Sequence, residues 1–117
     1  MKEHLDFLRI DLSSGWEVPE GYPEGIEQKV LAGHLDEINR KGSRTRLLRV
    51  QPGAFTTEAF VHEYWEEVFQ VSGTLTIGGE DFGPYTYACR PPLVPHGPFR
   101  SDQGCMIYEI HYFDTLD

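Results

Sequence analysis

Three side chains in the second half of this sequence have the types and spacing of a metal centre. His62 and Glu66 stand four residues apart in AFVHEYWEEVFQVSG, and His96 follows in the proline-flanked run LVPHGPF. Side chains of equal parity leave an extended chain on one side, so Phe60, His62, Tyr64, Glu66, Val68 and Gln70 share a face while the strand stays regular. A β-bulge near Trp65 would break that row and give Glu67 the place of Glu66. Two neutral imidazoles and one carboxylate suit Fe(II), Mn(II), Ni(II), Co(II) or Zn(II), and three protein ligands leave positions open for water, substrate or O₂. An open site points to catalysis, because a bound ion lowers the pKa of water or polarises a carbonyl.

Other residues complete the candidate site. Tyr64, two positions beyond His62, is a candidate proton donor, and Gln70 on the ligand row is placed to orient a substrate. Phe60 would make one wall apolar. Arg100, four residues after His96, offers a planar fork of donors for a substrate carboxylate, in competition with a surface ion pair. Glu67 reads as a solvent-facing partner of a basic strand. His111 in YEIHYF shares the polar row with Glu109 and is expected to point outward. Rival chemistries find no support: GGEDFG reads as a hairpin turn, no G-x-S-x-G elbow occurs, and neither Cys89 nor Cys105 has a histidine at an informative spacing.

The elements that must hold these groups are strands. Eight prolines and twelve glycines divide the chain into short runs rich in Val, Ile, Leu, Phe, Tyr and Thr, the pattern of an all-β protein. The runs are DFLRID, EQKVLAG, RTRLLRVQ, AFVHEY, EEVFQVSGTLTIGG, TYACR, LVPHG and CMIYEIHYF, and HLDEINRKG is the one place for a helical turn. The aromatic residues read mostly as core. So many short strands in 117 residues must deal with their open edges, which favours an antiparallel two-sheet jelly roll or closed barrel in a single domain, residues 1–117. Polar groups on an inward face then need hydrogen bonds or a metal.

Charge narrows the partners. With 19 acidic and 10 basic side chains the net charge is −9, which disfavours nucleic acid and anionic membrane surfaces. RKGSRTRLLR reads as a solvated strand face. No window is apolar enough for a membrane span and the N-terminus lacks a signal peptide's apolar core, so a cytoplasmic protein is expected. Two cysteines make no disulfide framework and are expected as reduced, buried thiols.

The segments PGAFTTEAFVHEYWEEVFQVSG and CRPPLVPHGPFRSDQG resemble the two halves of the cupin signature, over roughly Arg46 to Tyr112. Aligned on the closing glycine, Gly73, the motif glutamate falls on Glu66, the second histidine of the His-x-His pair on His62 and the first on Phe60. Pro91 and His96 match the second motif, whereas Leu93 and Arg100 replace its glycine and asparagine. The resemblance implies a jelly-roll barrel holding a divalent transition metal on His62, Glu66 and His96, with a small oxygenated molecule as substrate and pairing into a homodimer through DFLRID and EQKVLAG. Dioxygenase-type chemistry is the first expectation, with isomerase or lyase chemistry next. The alternatives are a metal-free module that binds or senses a small ligand, favoured by Phe60 in the place of a histidine, and a structural β-domain acting through dimerisation.

Overall fold

The computed structural model describes residues 2–113. Eight strands follow in chain order: β1 Ile26–Asp36, β2 Lys41–Val50, β3 Trp65–Gly73, β4 Leu75–Ile77, β5 Glu80–Phe82, β6 Tyr87–Arg90, β7 Phe99–Arg100 and β8 Cys105–Tyr112. They form a five-stranded sheet in the order β1-β2-β8-β3-β6 and a three-stranded sheet in the order β5-β4-β7. Every ladder is antiparallel. No helix occurs among the described residues, and none is long and apolar enough to cross a membrane.

The inner face of the larger sheet carries the core. Ile26, Leu48, Val50, Cys105 and Ile107 pack as one buried cluster, and Leu35, Tyr64 and Phe113 as another. Burying a side chain such as Ile26 or Leu48 stabilises the fold by about 1.5–3 kcal/mol. Between these apolar groups the same face carries polar ones: Arg46, Glu66, Gln70, Glu109 and His111 are all buried. The expected alternation is therefore present, but its polar row points inward along β3, while Phe69 and Val71 lie on the outside.

The β3 register settles which glutamate faces in. Pairing with β8 runs without a break from Trp65↔Tyr112 to Gln70↔Ile107, and the ladder slips only between Gln70 and Ser72. Glu66 thus keeps the inward position. Glu67 lies on the outer face, where it accepts from the Tyr87 hydroxyl at 2.6 Å and the Tyr112 hydroxyl at 2.9 Å. Its partners are tyrosines, not a basic strand. Gly73 ends β3 at φ +79°, and a Cβ there would meet the Gly104 carbonyl oxygen, so no other residue fits this turn without strain.

Several expected elements differ. DFLRID forms no strand: residues 2–15 are exposed and unpaired in any ladder, and the Asp11 carboxylate takes the Ser13 N–H at 2.9 Å, a local bond that competes with sheet pairing. EQKVLAG, in contrast, lies within β1 at one edge of the sheet. HLDEINRKG is a hairpin instead of a helical turn, closed by Asp36 accepting from the Asn39 N–H at 3.0 Å and by Arg40 at φ +56°. LVPHG and AFVHEY are irregular and meet in one isolated bridge, Phe60↔His96, because the prolines flanking His96 have no N–H to give a ladder.

The outer surface also holds surprises. Phe69, Tyr85 and Tyr87 are exposed, so the aromatic residues are less uniformly internal than the pattern implied. Both cysteines are free, but Cys89 is exposed and only Cys105 is buried.

Candidate metal centre

Two backbone devices bring the ligand segments together. The Phe60 N–H donates to the His96 carbonyl at 2.8 Å and the His96 N–H returns a bond to the Phe60 carbonyl at 3.0 Å, while the Leu93 N–H reaches the His62 carbonyl at 2.9 Å. The loop before β3 and the loop before β7 are thereby joined, which sets side by side two histidines 34 positions apart in sequence. Glu66 enters from the start of β3. As a result the Nε2 atoms of His62 and His96 stand 2.8 Å apart, and each lies 3.6 Å from an oxygen of Glu66.

These separations fit a single ion. Ligand bonds near 2.1 Å place neighbouring donors about 3.0 Å apart at right angles and about 3.4 Å apart in a tetrahedron. The protonation pattern agrees. The His62 Nδ1 lies 3.3 Å from the Tyr64 carbonyl, to which it can only donate, so the Nε2 lone pair is free for the shared point. Without an ion, two imidazole nitrogens this close share a proton.

His111 is fully buried, which corrects the expectation that it points outward. The inward row of β8 runs Cys105, Ile107, Glu109, His111 and then Phe113, and Tyr108 lies outside. The apolar company of Cys105, Ile107 and Phe113 on that parity was the available signal. His111 also belongs to a second carboxylate–imidazole cluster with Glu66 and Glu109. A guanidinium only donates, and Arg44 donates to His111 Nδ1 from Nη2 at 2.8 Å and from Nε at 3.2 Å. The proton of His111 must then sit on Nε2, where it is given to Glu66 Oε2 at 2.9 Å. That arrangement occupies both nitrogens of His111 and makes it a support for Glu66. The cluster whose donors stay free to hold an ion is His62, Glu66 and His96.

Glu66 feels two opposing influences. Burial would raise its carboxyl pKa, but the hydrogen bond from His111 outweighs it and holds the group down at about 2. Glu109 is neutralised separately by Arg46, 2.8 Å away, with both side chains almost wholly buried. Arg46 also donates to Gln28 and to the Tyr22 hydroxyl. One arginine of the supposedly solvated basic strand face is therefore a core residue.

A cavity of about 200 Å³ opens beside the cluster. Glu66 and His96 line it, with Gln70 farther along β3 and Phe82 from β5, and Phe60, Leu48, Val68 and Phe99 make its walls apolar. Of the sequence-predicted residues, Phe60 and Gln70 do line it, and Phe60 stacks on Tyr22 with ring centres 4.6 Å apart. Tyr64 lies behind His62, its ring parallel at 3.9 Å, and is not part of the lining; burial pushes its hydroxyl pKa well above the ordinary value. Arg100 is not part of the lining; it is exposed and bonded to Asp102 at 3.2 Å. Arg90 on β6 does line the cavity, and nothing in its local sequence distinguished it.

No family model matches the chain, and no curated protein matches it. Solved structures do. A cupin of the RmlC-like kind from Shewanella frigidimarina superposes at TM-score 0.67 with 15% identity, over 99% of this chain and 96% of that one. An acetylacetone dioxygenase from Acinetobacter johnsonii superposes at 0.66 with 17% identity, over 96% and 78%. KdgF from a Halomonas species gives 0.65 with 19% identity, over 92% and 94%. The fold is that of the cupins, and the His62, Glu66 and His96 cluster is a set that could hold a metal ion within it.

Proposed function

We propose that this chain is a mononuclear, metal-dependent cupin enzyme acting on a small oxygenated organic molecule, with dioxygenase-type chemistry as the first assignment. The observation that carries the reading is the convergence of two imidazole nitrogens and a carboxylate within 3.6 Å beside an apolar cavity. A bound divalent Fe, Mn, Ni, Co or Zn ion supplies Lewis acidity and open coordination positions. His62 and His96 offer lone pairs to it, Glu66 offers charge, and His111 fixes the carboxylate's direction. Tyr64 packs the His62 ring in place. The apolar walls exclude bulk water, which strengthens every polar interaction inside. The likeness in fold to an acetylacetone dioxygenase favours oxygen chemistry; isomerase and lyase reactions would use the same residues.

The metal-free ligand-binding reading has its own observation. Phe60 lies on the site side and stacks on Tyr22, and the two Nε2 atoms at 2.8 Å satisfy one another without an ion. Elemental analysis of protein purified without chelator separates the two readings. Near-stoichiometric transition metal that is lost in His96→Ala supports the enzyme. Persistent absence of metal in the wild type, also after addition of Fe(II), Mn(II), Ni(II) or Zn(II), removes it, and oxygen uptake with carbonyl and phenolic compounds then tests the reaction class.

A further inference from the structure

Glu109 has one oxygen engaged and one free. It stands on β8 directly opposite Arg46 of β2 and Val68 of β3, and such a row projects from a single face of the sheet. Oε1 takes the Arg46 Nε–H at 2.8 Å, while two further donors of Arg46 go to Gln28 and the Tyr22 hydroxyl. Oε2 accepts from none of the described residues. Val68 and Ile107 beside it are apolar, and the Nε2 proton of His111 is given to Glu66.

That free oxygen is within reach of a ligand. Among the described residues the one wholly enclosed side-chain polar atom without a partner is Gln70 Oε1, so Glu109 Oε2, which also lacks a partner, keeps accessible surface. The side chain is only 6% exposed, and what surface it has lines the cavity walled by Leu48, Phe60, Val68, Phe99 and Ile107. A carboxylate oxygen can only accept, and a bond donated to a charged acceptor in an apolar surrounding is roughly twice as strong as one between neutral groups. A carbonyl, an ether or a second carboxylate would set lone pairs against lone pairs. An ammonium gains little, because Arg46 already balances the charge of Glu109 and the cation would still lose its water.

We infer that Glu109 is the residue by which the cavity selects its ligand, and that the ligand is a neutral hydroxyl compound such as a cyclic alcohol, a phenol or an enol. Its O–H is donated to Glu109 Oε2, and its apolar body lies against the aliphatic and aromatic walls. The assignment rests on the cavity being the substrate site of the proposed enzyme. It narrows that substrate from oxygenated molecules in general to those that carry a hydroxyl.

The test compares cyclohexanol with cyclohexanone, which match in size and differ in whether the oxygen can donate. Both are titrated into isotope-labelled wild-type protein, metal-free and with Zn(II), and followed by NMR. Cyclohexanol is expected to bind about ten-fold tighter, the worth of one hydrogen bond to a charged acceptor. Glu109→Gln keeps an oxygen for the Arg46 Nε–H and puts an amide donor where Oε2 stood, so the preference is expected to vanish or invert. Arg100→Gln, outside the cavity, is the unchanged control. The Glu109 carboxyl carbon resonance of the wild type gives the same answer without a substitution: it is expected to move with cyclohexanol and to stay with cyclohexanone. Equal affinities, tighter binding of the ketone, no saturable binding of cyclohexanol, or an unchanged preference in Glu109→Gln would overturn the inference. The alcohol preference in protein that takes up no metal would leave it standing while the enzymatic reading fails, and metal uptake without the preference would do the reverse.

Discussion

Replacing Arg46 by methionine keeps an unbranched side chain of similar length on β2 and removes the cation beside Glu109. Nε of Arg46 lies 2.8 Å from Glu109 Oε1, and the two side chains are 3% and 6% exposed, so water cannot take over the ion's role. Removing one partner of such a pair costs about 3–5 kcal/mol, chiefly because the other charge stays buried alone. At roughly 4 °C per kcal/mol for a chain of this size, the melting temperature should fall by about 12–20 °C. Gln28 and the Tyr22 hydroxyl lose a donor as well, which places the result toward the larger value. The double variant Arg46→Met with Glu109→Leu removes both charges and is expected to recover most of the loss, as paired replacements of buried ions by apolar groups do. Thermal melts by circular dichroism and urea titrations of the four proteins close the cycle. An Arg46→Met protein within about 1 kcal/mol of wild type, or a double variant no more stable than the single one, would refute the view that Glu109 depends on Arg46.

Three further outcomes follow from the same geometry. His111→Phe removes the donor to Glu66 Oε2 and should weaken metal binding by about 10–100-fold, measured by competition with a chromophoric chelator; undiminished affinity would show that His111 only fills space. Glu66 is held at about 2 against an ordinary 4.5, so its contribution to the stability of metal-free protein is complete above pH 4.5 and is lost as the pH falls through about 2. Comparison with Glu66→Gln in acid should show wild type losing relative stability across that window, and parallel profiles would contradict it. Burial pushes the Cys105 thiol up to about 11, whereas Cys89 is exposed; iodoacetamide at neutral pH should modify one thiol per folded chain, identified by peptide mass, and rapid labelling of Cys105 would be inconsistent with the packing.

The strands that carry the site were legible because their periodicity was strong. β6 and β8 lie within the expected runs, and β2 and β3 overlap theirs but start before them. The metal candidates were legible too, from residue type and the cupin-like framing. Parity alone could not say which side of a strand is inside, and this hid His111 and Arg46: both polar groups face inward because each has a partner from another strand, in Glu66 and Glu109. Arg90 was invisible for a related reason, since its place beside the cavity comes from lying opposite Glu66 in a register that no local pattern encodes. Arg100 was sought by distance along the chain from His96, yet it lies at the surface, paired with Asp102.

The reciprocal backbone bonds between Phe60 and His96 separate two properties that usually change together. Position 60 holds the mouth of the barrel with its amide and carbonyl, which every residue except proline can supply, so its ring is free of that duty. Evolution or an engineer can therefore exchange the aromatic group for an imidazole or an aliphatic chain and alter what the site accepts while the frame stays assembled. The specificity of this barrel is replaceable at a point where its architecture is not.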